Sequence, residues 1–135
     1  LSLSLNIPAI GVSILDAVAH GTDGPVLACL SAPAGNAYLQ LHGRGRVPDQ
    51  AARLVKPGDP LSEFSDQSPL CIGTAAPQIA YRVGGTVEPP RFSPASAVAQ
   101  LAALADPSQA PSPAPLYMRP ADAAPSRDTP PVIVP

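Results

Sequence analysis

The stretch Asn6-Ile-Pro-Ala-Ile-Gly-Val-Ser-Ile-Leu-Asp-Ala-Val-Ala-His-Gly21 decides the fold. Within it, Pro8 to Val12 predicts a short buried strand that leads directly into a helix. Ser13 predicts the start of that helix, because its hydroxyl can accept a hydrogen bond from a backbone amide one turn on. Asp16 stands where a capping box places an acidic side chain, and Gly21 can adopt the left-handed conformation that ends a helix.

The residues that follow alternate between strand and helix signals. The predicted helix has an apolar stripe made of Leu15, Val18 and Ala19. Pro25 to Leu30 is continuously apolar, which is typical of a strand covered on both faces. Turn-forming residues occupy Ser31 to Asn36, and Ala37 to His42 then predicts the second strand of a hairpin. This alternation of strand and helix signals predicts an α/β fold with a mixed sheet and flanking helices.

Shorter elements are predicted in the second half of the chain. They are a strand near Ala52 to Val55, a turn at Lys56 to Asp59, one helical turn at Pro60 to Phe64 capped by Asp59, a buried strand at Pro69 to Thr74, and a helix at Gln78 to Val83 closed by Gly84. Ser93 to Ala105 predicts the clearest helix, with Ser93 as its N-cap. Its apolar side is predicted to face the core and consists of Ala97, Val98, Leu101, Leu104 and Ala105.

Length and composition limit the organisation of the chain. Its 135 residues correspond to about one domain, and its 20 prolines are concentrated after residue 85. We therefore expect an α/β lobe at residues 1–106 and a Pro/Ala-rich arm at residues 107–135. Within the arm, Pro115 to Pro120 contains bulky side chains and is predicted to dock, with Leu116 and Met118 on one side.

The formal net charge of −2 argues against nucleic-acid binding by this chain alone.

The two cysteines are predicted to be buried thiols. Cys29 and Cys71 each lie inside an apolar run, and no second Cys or His stands at metal-ligand spacing from either. No stretch approaches the roughly 20 apolar residues that span a bilayer, and no secretory signal is visible. A cytoplasmic setting is expected. Since the only methionine is Met118, we expect the chain to be a piece of a longer protein.

The sequence predicts no catalytic, cofactor-binding or metal-binding residues. The two histidines, His20 and His42, are not spaced from a nucleophile in any recognisable pattern. No P-loop, dinucleotide fingerprint or zinc-protease motif occurs. Gly43 to Arg46 is predicted to be an exposed turn rather than a phosphate contact. Gly73-Thr-Ala75 ends a predicted strand where a ligand can approach in α/β folds, but the pattern is weak.

Two segments together resemble the TsaB family, formerly described as glycoprotease-like or peptidase M22-like. Ile7 to Ala19 is similar to a Gly-Val-Ser-Thr-Leu strand-and-helix segment in the middle of those proteins, and Leu1 to Leu5 to the helix end before it. Ala114 to Ala123 is similar to their Pro-Leu-Tyr-Leu-Arg-x-x-Asp-Ala signature near the C-terminus. Between them, Val26 to Leu41 and Leu70 to Ala75 fall where the family has a hairpin and a Gly-Thr-Gly strand.

This resemblance implies an actin-like, sugar-kinase-like ATPase fold of two lobes, of which this chain would be the C-terminal one. The family acts in forming threonylcarbamoyladenosine on tRNA, beside the anticodon. TsaB is its non-catalytic member, TsaD transfers the threonylcarbamoyl group, and TsaE supplies an ATPase. The resemblance therefore implies a scaffold without a cofactor of its own, with TsaD and TsaE as partners and only indirect contact with tRNA.

Two departures from the family pattern and two rival functions remain. The hairpin loop, Ser31 to Asn36, lacks three charged positions of the family, and Gly73-Thr-Ala75 replaces Gly-Thr-Gly, which weakens a nucleotide contact. A glycoprotease-like hydrolase is one rival, and it requires His20 or His42 beside a nucleophile in a cleft. The other is a dimerisation module in which the apolar Val132 to Val134 holds a homodimer together.

Overall fold

A computed structural model describes residues 7–43, 48, 50–110 and 113–118. The elements in chain order are α1 (Ile14–Ala19), β1 (Val26–Ser31), β2 (Ala37–His42), β3 (Arg53–Val55), α2 (Ser62–Ser65), β4 (Leu70–Ile72), α3 (Ala76–Val83), β5 (Thr86–Glu88) and α4 (Pro94–Leu104). One turn of 3₁₀ helix, Pro33–Gly35, lies between β1 and β2. No helix in these described ranges is long and apolar enough to cross a bilayer.

The strands form one five-stranded mixed sheet in the order β3-β2-β1-β4-β5. β1 is antiparallel to β2, with Cys29 opposite Leu39, and parallel to β4, with Ala28 opposite Ile72. At the two edges of the sheet, β3 is antiparallel to β2 and β5 is parallel to β4. The predicted α/β class, with a mixed sheet and flanking helices, is confirmed.

Apolar side chains cover both faces of the sheet. On one face, Leu27 and Cys29 of β1 belong to a cluster that includes Phe64 of α2 and Ile79 of α3. On the other face, the alternate β1 residues belong to a second cluster with α1, made of Leu15, Val18, Ala19, Val26, Ala28 and Ile72. β1 is therefore buried on both sides, as its continuously apolar sequence predicts.

Helix α1 forms at the predicted place, but the segment before it is not a strand. The Ser13 hydroxyl accepts a hydrogen bond from the Leu15 amide at 3.2 Å, and Gly21 has a φ of +82°, so both predicted signals are confirmed. Residues 8–12 have no regular structure. They do not pair with the sheet, and Gly11 lies against Pro113 instead. A Cβ atom added to Gly11 would be only 3.1 Å from the Cα atom of Pro113.

Asp59 does not cap the second helix. The helical turn begins at Ser62, and its cap position, Leu61, makes no side-chain hydrogen bond. The Asp59 carboxylate accepts instead from the backbone amide of Lys56 at 2.8 Å, which closes the predicted turn on itself. The strand β5 was not predicted. All three of its residues are exposed, and it forms through backbone pairing with β4, which leaves little hydrophobic pattern in the sequence.

Helix α4 is less buried than its apolar side predicts. Ser93 caps it as expected, accepting from the Ser96 amide at 3.3 Å. Of the five stripe residues only Ala97 is fully buried, and Leu104 is 75% exposed. The physical reason is the position of the helix, which packs on α1 rather than directly on the sheet. The expectation that the whole stripe lies in the core is therefore wrong.

The start of the proline-rich arm returns to the lobe. Met118 packs against the cluster around α1, and Leu116, although 64% exposed, lines the same groove beside residues 11–15. Several sequence predictions fall on residues outside the described ranges: the helix end at residues 1–5, most of the turn at residues 43–46, Arg119 and Pro120, and the apolar residues 132–134. The division at residue 106 stays a prediction.

Both cysteines are buried, free thiols, as predicted. In the parallel register Cys71 is opposite Leu27, so Cys29 lies two positions further along the neighbouring strand. Strand spacing and rise per residue then separate the two Cα atoms by roughly 8 Å, too far for a disulfide without backbone movement. The hydrogen bond with Cys71 raises the pKa of the Cys29 thiol, and burial raises it further. Cys29 is therefore held as a thiol rather than a thiolate.

We expect both thiols to be inert towards an aromatic disulfide reagent in the native protein. Burial denies the reagent access to Cys29 and Cys71, both of which are 0% exposed. The absorbance of the released reagent, followed with and without urea, measures this. Both thiols should react in urea, which is the control, and rapid reaction in buffer would contradict the buried core.

Candidate functional site

Four polar side chains meet in two hydrogen-bonded pairs between α1, the end of β2 and α4. His42 Nε2 lies 2.9 Å from Asp16 Oδ1, and His20 Nε2 lies 3.2 Å from Gln100 Oε1. The two imidazoles are almost fully buried, at 5% exposure for His20 and 3% for His42, whereas the Asp16 side chain is 37% exposed. We call this set of four residues the histidine cluster.

Each member of the histidine cluster is placed by its element. His42 ends β2 on the face that α1 covers, since it pairs with Val26 of the α1-side cluster. His20 is the C-cap residue of α1, and its ring lies 5.5 Å from the ring of Phe92, centroid to centroid. Asp16 was predicted to complete a capping box; its carboxylate instead serves as the partner of His42. α1 thus contributes two members, and α4 supplies Gln100.

A cavity of about 30 Å³ lies within the histidine cluster. Asp16, His20, Thr22 and His42 contribute to its lining, together with apolar side chains. A space of this size holds a single water molecule and no peptide or nucleotide. In the described residues, no group of three or more His, Cys, Asp or Glu side chains is placed to hold a metal ion.

The pair of Asp16 and His42 is the nearest approach to catalytic chemistry in the described chain. A carboxylate that orients an imidazole is two thirds of a hydrolytic triad. The third part is a nucleophile, and the cavity lining of the described residues offers a threonine but neither serine nor cysteine. The rival hydrolase requires a histidine beside a nucleophile in a cleft, and this cavity is too small to be a cleft.

A second concavity is an open apolar groove of about 780 Å³ between residues 11–15 and residues 113–118. Its lining includes Ile14 and Leu116, both of which are exposed. Residues 11–15 belong to the first segment that resembles the TsaB family, and residues 114–118 are the described part of the second. These residues are about a hundred positions apart in the chain, and the fold places them side by side. Sequence similarity alone did not predict this contact.

The glycine at the end of β4 is needed by the protein's own backbone. Gly73 has a φ of +121°, and a Cβ at this position would overlap the carbonyl oxygen of Cys29. The Ala75 amide donates to that same oxygen at 3.1 Å, and the Thr74 hydroxyl accepts from the Ser31 amide at 2.8 Å. These contacts hold the residues after β4 against the end of β1. The Gly73-Thr-Ala75 sequence is therefore explained by the fold, and no nucleotide is needed to explain it.

Comparison with known proteins supports the fold and little beyond it. A crystal structure described as an uncharacterized protein with similarity to peptidase YEAZ, from Pseudomonas aeruginosa, matches with a TM-score of 0.57 at 14% sequence identity. The match covers 87% of this chain and 62% of that chain, so this chain spans less than two thirds of its length. No family model and no curated protein matches. The match supports the α/β fold with its five-stranded mixed sheet.

The histidine cluster was missed by sequence reasoning, which named the two histidines only for the rival hydrolase and predicted neither of their partners. Its two hydrogen bonds join residues 26 and 80 positions apart. The local signal was weak, because His42 and Gln40 are both polar residues on a strand whose other residues suit burial. Which partner it meets depends on where α1 crosses the sheet, and that crossing is a tertiary feature.

Replacing Asp16 by alanine should destabilise the protein. His42 is 3% exposed, and the substitution leaves its Nε2 atom without an acceptor. We expect a loss of about 1–3 kcal/mol in the free energy of unfolding, measured by urea denaturation. Asp23→Ala, which removes an exposed carboxylate from the following loop, is the matched control and should change stability by less than about 0.5 kcal/mol. Equal effects of the two substitutions would show that the pair is not structural.

Gly73→Ala should destabilise the protein by about 3 kcal/mol or more, because it adds backbone strain to a steric overlap with Cys29. Gly58→Ala is the control, since nothing lies within 4 Å of a Cβ at that position. It should change the free energy of unfolding by less than about 1 kcal/mol. Urea denaturation of both variants tests the difference, and a fully stable Gly73→Ala protein would refute the close approach of β4 to β1.

Proposed function

We propose that this chain is the C-terminal lobe of a non-catalytic scaffold subunit in the machinery that forms threonylcarbamoyladenosine on tRNA next to the anticodon. In this proposal TsaD performs the transfer, TsaE supplies the ATPase, and the intact subunit supports TsaD. Contact with tRNA is indirect, in keeping with a formal net charge of −2.

The observation that carries the proposal is the contact between the two TsaB-like segments. A chance resemblance of two short segments would not require them to touch in the fold. Here Met118 packs on the cluster that contains Leu15 and Val18, and residues 114–116 line one groove with residues 11–15. The fold in which they meet is similar to that of a protein described as resembling peptidase YEAZ, which is the TsaB protein.

The polar groups of the lobe also favour a supporting role. The Thr74 hydroxyl, the Asp59 carboxylate and the Asp16 carboxylate each bond to the chain itself. The cavity of the histidine cluster, at about 30 Å³, has no room for a nucleotide or a peptide. Hydrogen bonds of this kind stabilise the lobe, which suits a supporting role.

The test uses the intact protein encoded by the gene, together with TsaD and TsaE from the same organism. We expect the protein to retain TsaD in a pull-down and to be required for threonylcarbamoyladenosine formation in the reconstituted reaction, measured by nucleoside mass spectrometry. A mixture lacking only this protein is the control. Failure to bind TsaD, or full modification without the protein, would refute the proposal.

The pair of Asp16 and His42 keeps a glycoprotease-like hydrolase as a second candidate. Asp16→Asn separates the two functions, because the amide oxygen can still accept from His42 while the charge is lost. In the scaffold proposal, Asp16→Asn leaves tRNA modification unchanged for equal amounts of folded protein. A hydrolase that uses this pair would lose most of its peptide cleavage. Measurable cleavage by the unaltered protein that disappears in Asp16→Asn would favour the second candidate.

A further inference from the structure

The apolar groove between residues 11–15 and residues 113–118, which we call the arm groove, is lined by exposed apolar side chains. Ile14 and Leu116 are both large and exposed. The described lining contains no charged side chain, and its one hydroxyl, that of Ser13, already accepts a hydrogen bond as the cap of α1. Contiguous exposed apolar surface of this kind marks a place where something binds.

The chain itself leaves the arm groove at Met118 and continues to residue 135. Met118 packs on the cluster around α1, so the arm is attached to the lobe at this point. Residues 119–131 consist only of Pro, Ala, Ser, Thr, Arg and Asp. After Met118, large apolar side chains occur only at residues 132–134, which are Val, Ile and Val. The arm therefore offers one segment whose side chains suit an uncharged apolar groove.

The link between Met118 and this segment is long enough to return to the arm groove. Residues 119–131 span up to roughly 40 Å when extended, whereas residues 113–118 extend over at most about 20 Å. A short flexible link also holds its end near the groove at an effective concentration on the order of mM. A second copy of the chain, at the micromolar concentration of an ordinary solution, competes poorly with a segment that is tethered in this way.

We propose that residues 132–134 bind in the arm groove of their own chain, against Ile14 and Leu116. Their β-branched side chains have few rotamers to lose, and Pro131 and Pro135 restrict the backbone on either side, so that ordering the segment costs little. Removal of both apolar surfaces from water favours the bound state. This is a contact within one chain, whereas the rival dimerisation module assigns the same residues to a contact between chains. The proposal does not depend on the proposed function.

The test is nuclear magnetic resonance on the intact protein encoded by the gene, with the methyl groups of Ile, Leu and Val labelled with ¹³C. We expect nuclear Overhauser cross-peaks from the methyl groups of residues 132–134 to those of Ile14 and Leu116. A mixture of labelled and unlabelled protein reports contacts between copies, and it should give no such cross-peak. Cross-peaks only between copies, or groove methyl groups that contact another part of the chain and not residues 132–134, would overturn the proposal.

A matched pair of substitutions in the arm completes the test. Ile133→Asp puts a charge on the segment, which opposes its burial in an uncharged groove. We expect the cross-peaks from Val132 and Val134 to the groove to be lost and the groove methyl resonances to shift. Ala124→Asp adds the same charge to the link and should leave both unchanged. Neither position belongs to the core of the described residues, so the remaining methyl spectrum should be retained in both variants. Equal effects of the two substitutions, or no effect of Ile133→Asp, would refute the binding of the segment.

Discussion

The burial of β1 on both faces is the constraint on which the rest of this structure depends. Its side chains alternate between two cores, with Leu27 and Cys29 against α2 and α3 and with Val26 and Ala28 against α1. A strand in this position cannot present polar side chains on either face without a partner. Its backbone must also be fully paired, by β2 on one edge and β4 on the other. The helices that cover the two faces, α1 on one side and α2 with α3 on the other, are positioned by what these two cores require.

The end of β1 shows how strictly the backbone requirement is met. After β4 separates from it, the Cys29 carbonyl accepts from Ala75 and the Ser31 amide donates to Thr74. The chain can approach this closely only because Gly73 has no side chain and tolerates a φ of +121°. Gly73 follows a strand, which is a position where glycine often indicates ligand binding. In this protein it is explained by close packing against the end of β1.

Sequence reasoning succeeded where the physical signal is local. Ser13 and Ser93 cap the helices that follow them, Gly84 closes α3 with a left-handed conformation, and the hairpin of β1 and β2 follows from its apolar runs. It failed where tertiary contacts decide. β5 exists because β4 offers it a pairing edge, residues 8–12 lack such an edge, and α4 keeps Leu104 exposed because α1 separates it from the sheet.

The candidate site follows the same division between local and tertiary information. Nothing near His42 in the sequence indicates Asp16, and the cluster exists only because α1 crosses the end of β2. The contact of residues 114–118 with residues 11–15 and α1 is equally non-local, and these residues lie in the two segments that carry the sequence resemblance. Two short segments that resemble one family by chance have no reason to touch, so the contact supports the resemblance itself. The fold alone does not carry a function, because unrelated activities can share it.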